Sequence, residues 1–232
     1  MEKEREKRGR GRPQTLDRQR TVEVAMTSFW CDGVRDVSMN EICRRAHVSK
    51  PGVYREFGNE DGLMEAAVEL YRRTVVTPLL DAFALNQPFW EVLDFVLHAV
   101  TEPSGKPAGC LVAELRSAPS GLGSATAAKV SAVAEEMRHA YEQWFRRAQA
   151  RGEVDATVSP VLAAHFIDTQ LTSVLLQMRL RTDPELVRAQ AHLAFRALHR
   201  AGPGRDSASP SVEEEKVAAP PRRAARRRAT PR

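Results

Sequence analysis

Apolar residues recur along this chain at intervals of three and four, the spacing that lines one face of an α-helix. Val22, Ala25, Met26 and Phe29 make the first stripe, stopped by Asp32-Gly33. Met39, Ile42, Cys43 and Ala46 make a second, and Val53 with Phe57 a third. Leu63, Ala66, Ala67, Leu70 and Tyr71 continue in a fourth helix, which Pro78 is expected to end or kink. Beyond it the pattern predicts helices over 88–100, 110–116, 125–151, 160–180 and 184–199. Prolines and a glycine mark a loop at 101–108, and serines and glycines another at 117–124. No segment alternates convincingly as a strand, and there is no internal repeat. The chain therefore reads as all-α, with an N-terminal three-helix helix-turn-helix head and a C-terminal helical body.

The head is defined by its punctuation. Ser38 is a good N-cap, and Glu41 three residues on completes a capping box. Val48 plugs the turn, Ser49 caps the next helix, and Pro51 sits early in it, where a missing N–H costs little. Gly58-Asn59 closes that helix and opens the following one. Two short helices joined by a tight turn form a helix-turn-helix, whose second helix fits the DNA major groove. That recognition helix spans about 50–57 and turns Lys50, Gly52, Tyr54 and Arg55 outward. Gly52 allows close approach to DNA, and Arg55 suits guanine O6/N7 or a phosphate. Arg44 and Arg45 can flank the backbone or remain solvated charges. Ser38 and Asn40, at a helix N-terminus, are placed for phosphate, although capping alone also explains them.

Beyond these local patterns, the run from Gly11-Arg12-Pro13 through Phe29, Gly33, Ser38, Ile42, Ala46, Val48-Ser49-Lys50, Tyr54, Phe57 and Leu63 closely resembles the DNA-binding domain of the TetR family of bacterial repressors. The resemblance covers about the first third of the chain. It implies that Tyr54 bonds a phosphate, that the protein is a homodimer through its last two helices, and that a small ligand in the body releases a palindromic operator. Three positions depart from the family pattern. His47 stands where Gly is usual in the turn, Glu56 where His is frequent, and Glu60 near a usual Lys. His47 must then take a left-handed backbone, which His tolerates better than a β-branched residue. No phosphate role passes to Glu56 or Glu60. Asn59-Glu60-Asp61 is expected to cap the next helix instead.

Charge extends the picture at both ends. The 232 residues carry a formal net charge of +5, with 42% hydrophobic content, enough to bury a sizeable core. Residues 1–13 are expected to be a disordered basic arm, 14–58 the DNA-binding domain, 59–200 the ligand-binding and dimerisation domain, and 201–232 a disordered tail with a basic end. Arg10-Gly11-Arg12-Pro13 looks like the core of an AT-hook, with Arg10 and Arg12 in the minor groove; a solvated arm touching phosphates fits equally. There is no apolar run of membrane-spanning length and no signal-peptide pattern, which predicts a soluble cytoplasmic protein. Cys31, Cys43 and Cys110 lack metal-ligand spacing, so neither metal nor cofactor is expected.

The body offers a candidate pocket. Phe89, Phe95, His98, Cys110, Trp144, His165, Phe166 and Gln170 supply aromatic and polar groups of the kind that line small-molecule sites, although aromatics at helical spacing are more often core. Leu162, Phe166, Leu171, Val174, Leu175 and Met178, then Leu186, Ala189, Leu193 and Leu198, form faces wide enough for a four-helix bundle between two copies. Cys110 opens a short helix whose dipole is expected to lower its thiol pKa, so a thiol or electrophile sensor is the alternative signal. An enzyme built on Cys110, His98 and Glu114 finds no support in their spacing, and an architectural DNA-binding protein would not need a helix-turn-helix.

Overall fold

The computed structural model describes residues 16–102, 105, 107–118 and 121–199. Arg10, Arg12, the basic arm and the tail lie outside the described residues. The helices are α1 (Arg18–Asp32), α2 (Met39–Ala46), α3 (Lys50–Phe57), α4 (Glu60–Tyr71), α5 (Thr77–Ala84), α6 (Phe89–Thr101), α7 (Leu111–Ser117), α8 (Ser124–Ala150), α9 (Pro160–Arg179) and α10 (Pro184–Phe195). Among the described residues the only extended pairing is a single bridge between Val154 and His199. The all-α expectation holds.

The head's helices are set by their ends. Asp17 caps α1, Ser38 caps α2, Ser49 caps α3 and Asn59 caps α4, each side chain accepting from a backbone N–H in the first turn. His47 has φ 58° and ψ 40°, the left-handed backbone expected of it. The His47 N–H then reaches Arg44 O and the Val48 N–H reaches Cys43 O, the paired bonds of a Schellman closure. Val48 packs half-buried against the core and plugs the turn as expected. Met39, Ile42, Cys43, Ala46 and Val53 are all buried.

Pro78 does not stop the chain. It lies in the first turn of α5, and the preceding segment Arg72–Val76 widens into a π-helical turn, with the Thr77 N–H bonded to Arg72 O. The wider turn absorbs the register change that a proline without an N–H forces.

In the body α8 is the spine, 27 residues long and packed against α4, α5 and α9. Its start is held from a distance: both Asp61 carboxylate oxygens accept backbone N–H groups, from Ala125 and Thr126, at 3.0 Å each, and the Thr126 hydroxyl donates to Asp61 O. A Cβ on Gly123 would lie 2.1 Å from Asp61 Cγ, so this close approach requires glycine. Asn59 caps α4 as expected, while Asp61, expected in the same role, caps α8.

α9 and α10 bury Ile167, Leu171 and Val174 against Val187, Ala191 and Phe195. Their other faces leave Leu162, Leu176, Leu180, Leu186 and Leu193 exposed. Leu171, Val174 and Leu198, assigned from the sequence to a bundle face, belong to this chain's own core. Among the described residues no helix is long and apolar enough to cross a membrane, and no cluster of three acidic, His or Cys side chains could hold a metal ion.

Candidate DNA-binding site and the cavity behind it

On α3, Arg55 is exposed, and the Lys50 ammonium lies 5.4 Å from the centre of the Tyr54 ring. The Tyr54 hydroxyl donates to Glu60 Oε1 at 3.0 Å. A phosphate only accepts hydrogen bonds, so Tyr54 must release Glu60 before it can donate to DNA. Glu56 is paired with Arg18 at 3.1 Å, which offsets its charge at this surface. The two carboxylates set aside from the sequence thus have partners within the head.

Gly52 departs from expectation. It is buried, and a Cβ there would meet Ser49 Oγ at 3.0 Å and Leu16 Cδ1 at 3.7 Å. The small residue is needed under the Ser49 cap and Leu16, not for an open approach to DNA.

Arg44 and Arg45 divide the two roles foreseen for them. Arg45 bonds Glu41, Ser28 and Asp32, tying α2 to α1. Arg44 pairs only through a fork on Glu41, at 2.9 and 2.7 Å, and its side chain is otherwise in solvent. Arg44 first and Arg45 second pull the Glu41 carboxyl down to about 2. Ser38 Oγ is occupied by the Glu41 N–H, whereas Asn40 is exposed beside it. Asn40, Arg44 and Arg55 are exposed on the head's surface, and Lys50 and Tyr54 are half-exposed there.

The body has a small cavity of about 20 Å³, room for one water-sized sphere. Leu79, Val96, Val100, Met137, Leu171 and Leu175 form its apolar walls, with Cys110, Tyr141, Asp168 and Thr172 as its polar groups. Of the eight pocket residues expected from the sequence, only Cys110 is there. Phe89 and Trp144 are core, stacked at 4.0 Å. Phe166 packs edge-on against Phe195, and Gln170 is half-buried without reaching the cavity wall. Phe95 is 60% exposed, and His98 and His165 are on the surface. The missed residues carried a signal: Asp168 continues the apolar stripe of Ala164, Ile167 and Leu171, where a carboxylate needs a partner or a purpose.

Cys110 also differs in sign. Its Sγ accepts from the Ala113 N–H at 3.4 Å, and Tyr71 bonds the thiol, both favouring the thiolate. Burial outweighs them and pushes the thiol pKa up. Tyr71 links this wall to the head, since its ring meets Trp30 of α1 edge-on at 4.8 Å. Trp30 Nε1 donates to Gly109 O, next to Cys110, and Arg179 of α9 bonds both Trp30 O and Glu114.

A capped helix pair with an exposed basic recognition helix, joined to an all-helical body, defines a helix-turn-helix DNA-binding protein. Comparison with known proteins agrees. A family model described as bacterial regulatory proteins of the tetR family matches residues 22–67, and one described as a tetracyclin repressor-like C-terminal domain matches residues 89–193. The transcriptional regulator AcuR of Cereibacter sphaeroides is 28% identical over 191 residues, covering 79% of this chain and 87% of that protein. The HTH-type transcriptional repressor ComR of Escherichia coli is 23% identical over 188 residues, covering 75% and 84%. Among solved structures, a cysteine-substituted form of the regulator CifR bound to a 26-base-pair operator superposes with a TM-score of 0.69 at 25% identity, covering 81% of this chain and all of that one. The chain belongs to the TetR family of bacterial regulatory proteins. It is a DNA-binding transcriptional regulator, and the family is not one of enzymes.

Proposed function

We propose that the chain is a cytoplasmic repressor that binds a palindromic operator as a homodimer and lets go when a small molecule occupies the body. Residues 14–58 act as the reading head and 59–200 as the sensing and pairing body. The contact path from cavity to head carries this reading. Cys110 on the cavity wall touches Tyr71, Tyr71 touches Trp30 of α1, and α8, which supplies Met137 and Tyr141 to the cavity, is capped by Asp61 beside Glu60 and Tyr54. A ligand that shifts α8 bears on both routes, provided it binds the shifted state more tightly. The exposed leucines of α9 and α10 support pairing, because apolar residues at helical spacing on two adjacent helices call for a cover. Relatives described as a repressor and as an operator-bound regulator support the repressor role.

The raised pKa of Cys110 favours a non-covalent signal over a thiol sensor. The test is operator release. With DNA selected from a random pool, a candidate effector should lower affinity in wild type and in Cys110→Ser alike. Loss of the response in Cys110→Ser, with DNA binding intact, would transfer the signal to the thiol.

A further inference from the structure

The cavity contains a group that nothing among the described residues satisfies. The Tyr141 side chain is fully buried and lines the cavity, and its hydroxyl has no hydrogen-bond partner among the described residues. Across the same space lies Asp168, 9% exposed, whose Oδ2 is 3.2 Å from Arg116 Nη1. Burial foremost, then the negative charge of Asp168, keeps Tyr141 protonated, so it presents an O–H donor. A buried hydroxyl left unpaired is costly, and such groups in otherwise well-satisfied proteins call for an explanation.

We propose that the effector of this regulator is a small uncharged molecule carrying a hydroxyl or similar group that both donates and accepts, seated between Tyr141 and Asp168. The inference rests on the proposal that the body senses a small molecule, and it names the chemistry of that molecule. A ligand hydroxyl donates to the Asp168 carboxylate and accepts from Tyr141, so one atom closes the gap. An anion meets Asp168 as a like charge and has no proton to give it. An ammonium group satisfies Asp168 but offers no lone pair to the Tyr141 proton. The space fits one polar atom, and the apolar walls take a short hydrocarbon tail once the flexible Met137 side chain moves aside.

The experiment titrates the full-length protein without DNA with n-propanol, propionate and propylammonium, read by NMR chemical shifts. Binding is therefore judged apart from operator release. n-Propanol should bind at least tenfold more tightly than either ion, because propylammonium leaves the buried Tyr141 hydroxyl unpaired and propionate brings a like charge to Asp168. Tyr141→Phe should weaken n-propanol about tenfold while leaving Tm unchanged or higher, since it deletes an unpaired hydroxyl. Asp168→Asn should remove the bias against propionate. Equal or tighter binding of propionate to wild type, no binding of n-propanol, or a lower Tm in Tyr141→Phe, as expected if an ordered water satisfies that hydroxyl, would each overturn the proposal.

Discussion

The head and the body treat their polar groups differently. In the head, Arg45 reaches three acceptors, Ser38 and Ser49 fill their helix ends, and Tyr54 and Glu56 have partners of opposite kind. In the body, Tyr141 Oη, Trp144 Nε1 and Arg147 Nε are buried without a hydrogen-bond partner among the described residues, and all three lie on α8. A reading surface gains from side chains held by partners within the head, with Tyr54, which must release Glu60 to reach DNA, as the exception. A sensing element benefits from an arrangement that a ligand can improve, because only a difference in affinity between states moves an equilibrium. Under the proposed function, the contrast puts paired side chains where DNA is met and unmet hydrogen bonding where the signal arrives.

The contrast can be sharpened by separating the α8 aromatic that supports the core, Trp144, from the one proposed to sense, Tyr141. Trp144→Ala should cost about 3–5 kcal/mol, as loss of a large core side chain does. A fall in Tm of roughly 10 °C or more by calorimetry would agree. A small change in Tm with a lost effector response would make Trp144 a ligand contact after all.

Next in size is assembly. Leu176 and Leu193 are 54% and 68% exposed in the single chain, so Leu176→Glu with Leu193→Glu should leave the fold intact. Operator affinity should fall about a hundredfold when the second head no longer binds in concert. Sedimentation showing an intact dimer would move the interface elsewhere. Leu175, the neighbour chosen on sequence grounds, lines the internal cavity instead; one residue along a helix turns the side chain by about 100°.

A smaller effect is expected where the two regions meet. Asp61→Ala uncaps α8 and should cost about 1 kcal/mol. It should also blunt any effector response, because α8 then moves without carrying α4. At the DNA surface Tyr54→Phe should weaken all sequences by about 1 kcal/mol, while Glu60→Ala, which removes a competing acceptor and a negative charge, should tighten binding. Opposite signs for these neighbours would show that Glu60 restrains the tyrosine.

The smallest effect is a pH dependence. Glu41 is drawn from 4.5 to about 2 by Arg44 and then Arg45, and Asp61 is lowered by the Thr126 hydroxyl and then by backbone N–H groups of α8. With folded pKa values depressed, the unfolded chain takes up protons first on acidification. The stabilisation is present above the unfolded values and is lost as pH falls through the folded ones. Wild-type Tm should decline between roughly pH 4.5 and 2, and Glu41→Gln should decline less steeply. Parallel curves would show that Glu41 contributes nothing to this loss.

The same contrast explains what the sequence disclosed. Ser38 with Glu41, Ser49 and Gly58 act within a few residues of themselves, so their roles followed from spacing, while the backbone of His47 followed from the family resemblance. The cap that Asp61 places on α8 spans 64 and 65 residues, and the cavity is assembled from four helices and Cys110. Helical periodicity says which face is apolar, not which apolar face a distant helix covers. Phe95 and His165 therefore stand among the expected pocket residues without reaching the cavity, and Tyr141, which lines it, is not among them. Gly52 misled for a local reason, since the packing of Leu16 above it leaves no mark in the spacing.

The most direct test of the account selects DNA for the full-length protein from a random pool and compares wild type with Arg55→Ala. The account predicts a palindrome whose half-sites lie about one helical turn, roughly 34–36 Å, or a multiple apart. Two chains should bind per site, and base preference should relax in Arg55→Ala if that side chain reads guanine. Selected sequences without two-fold symmetry, bound no better than random DNA by wild type and variant alike, would contradict it.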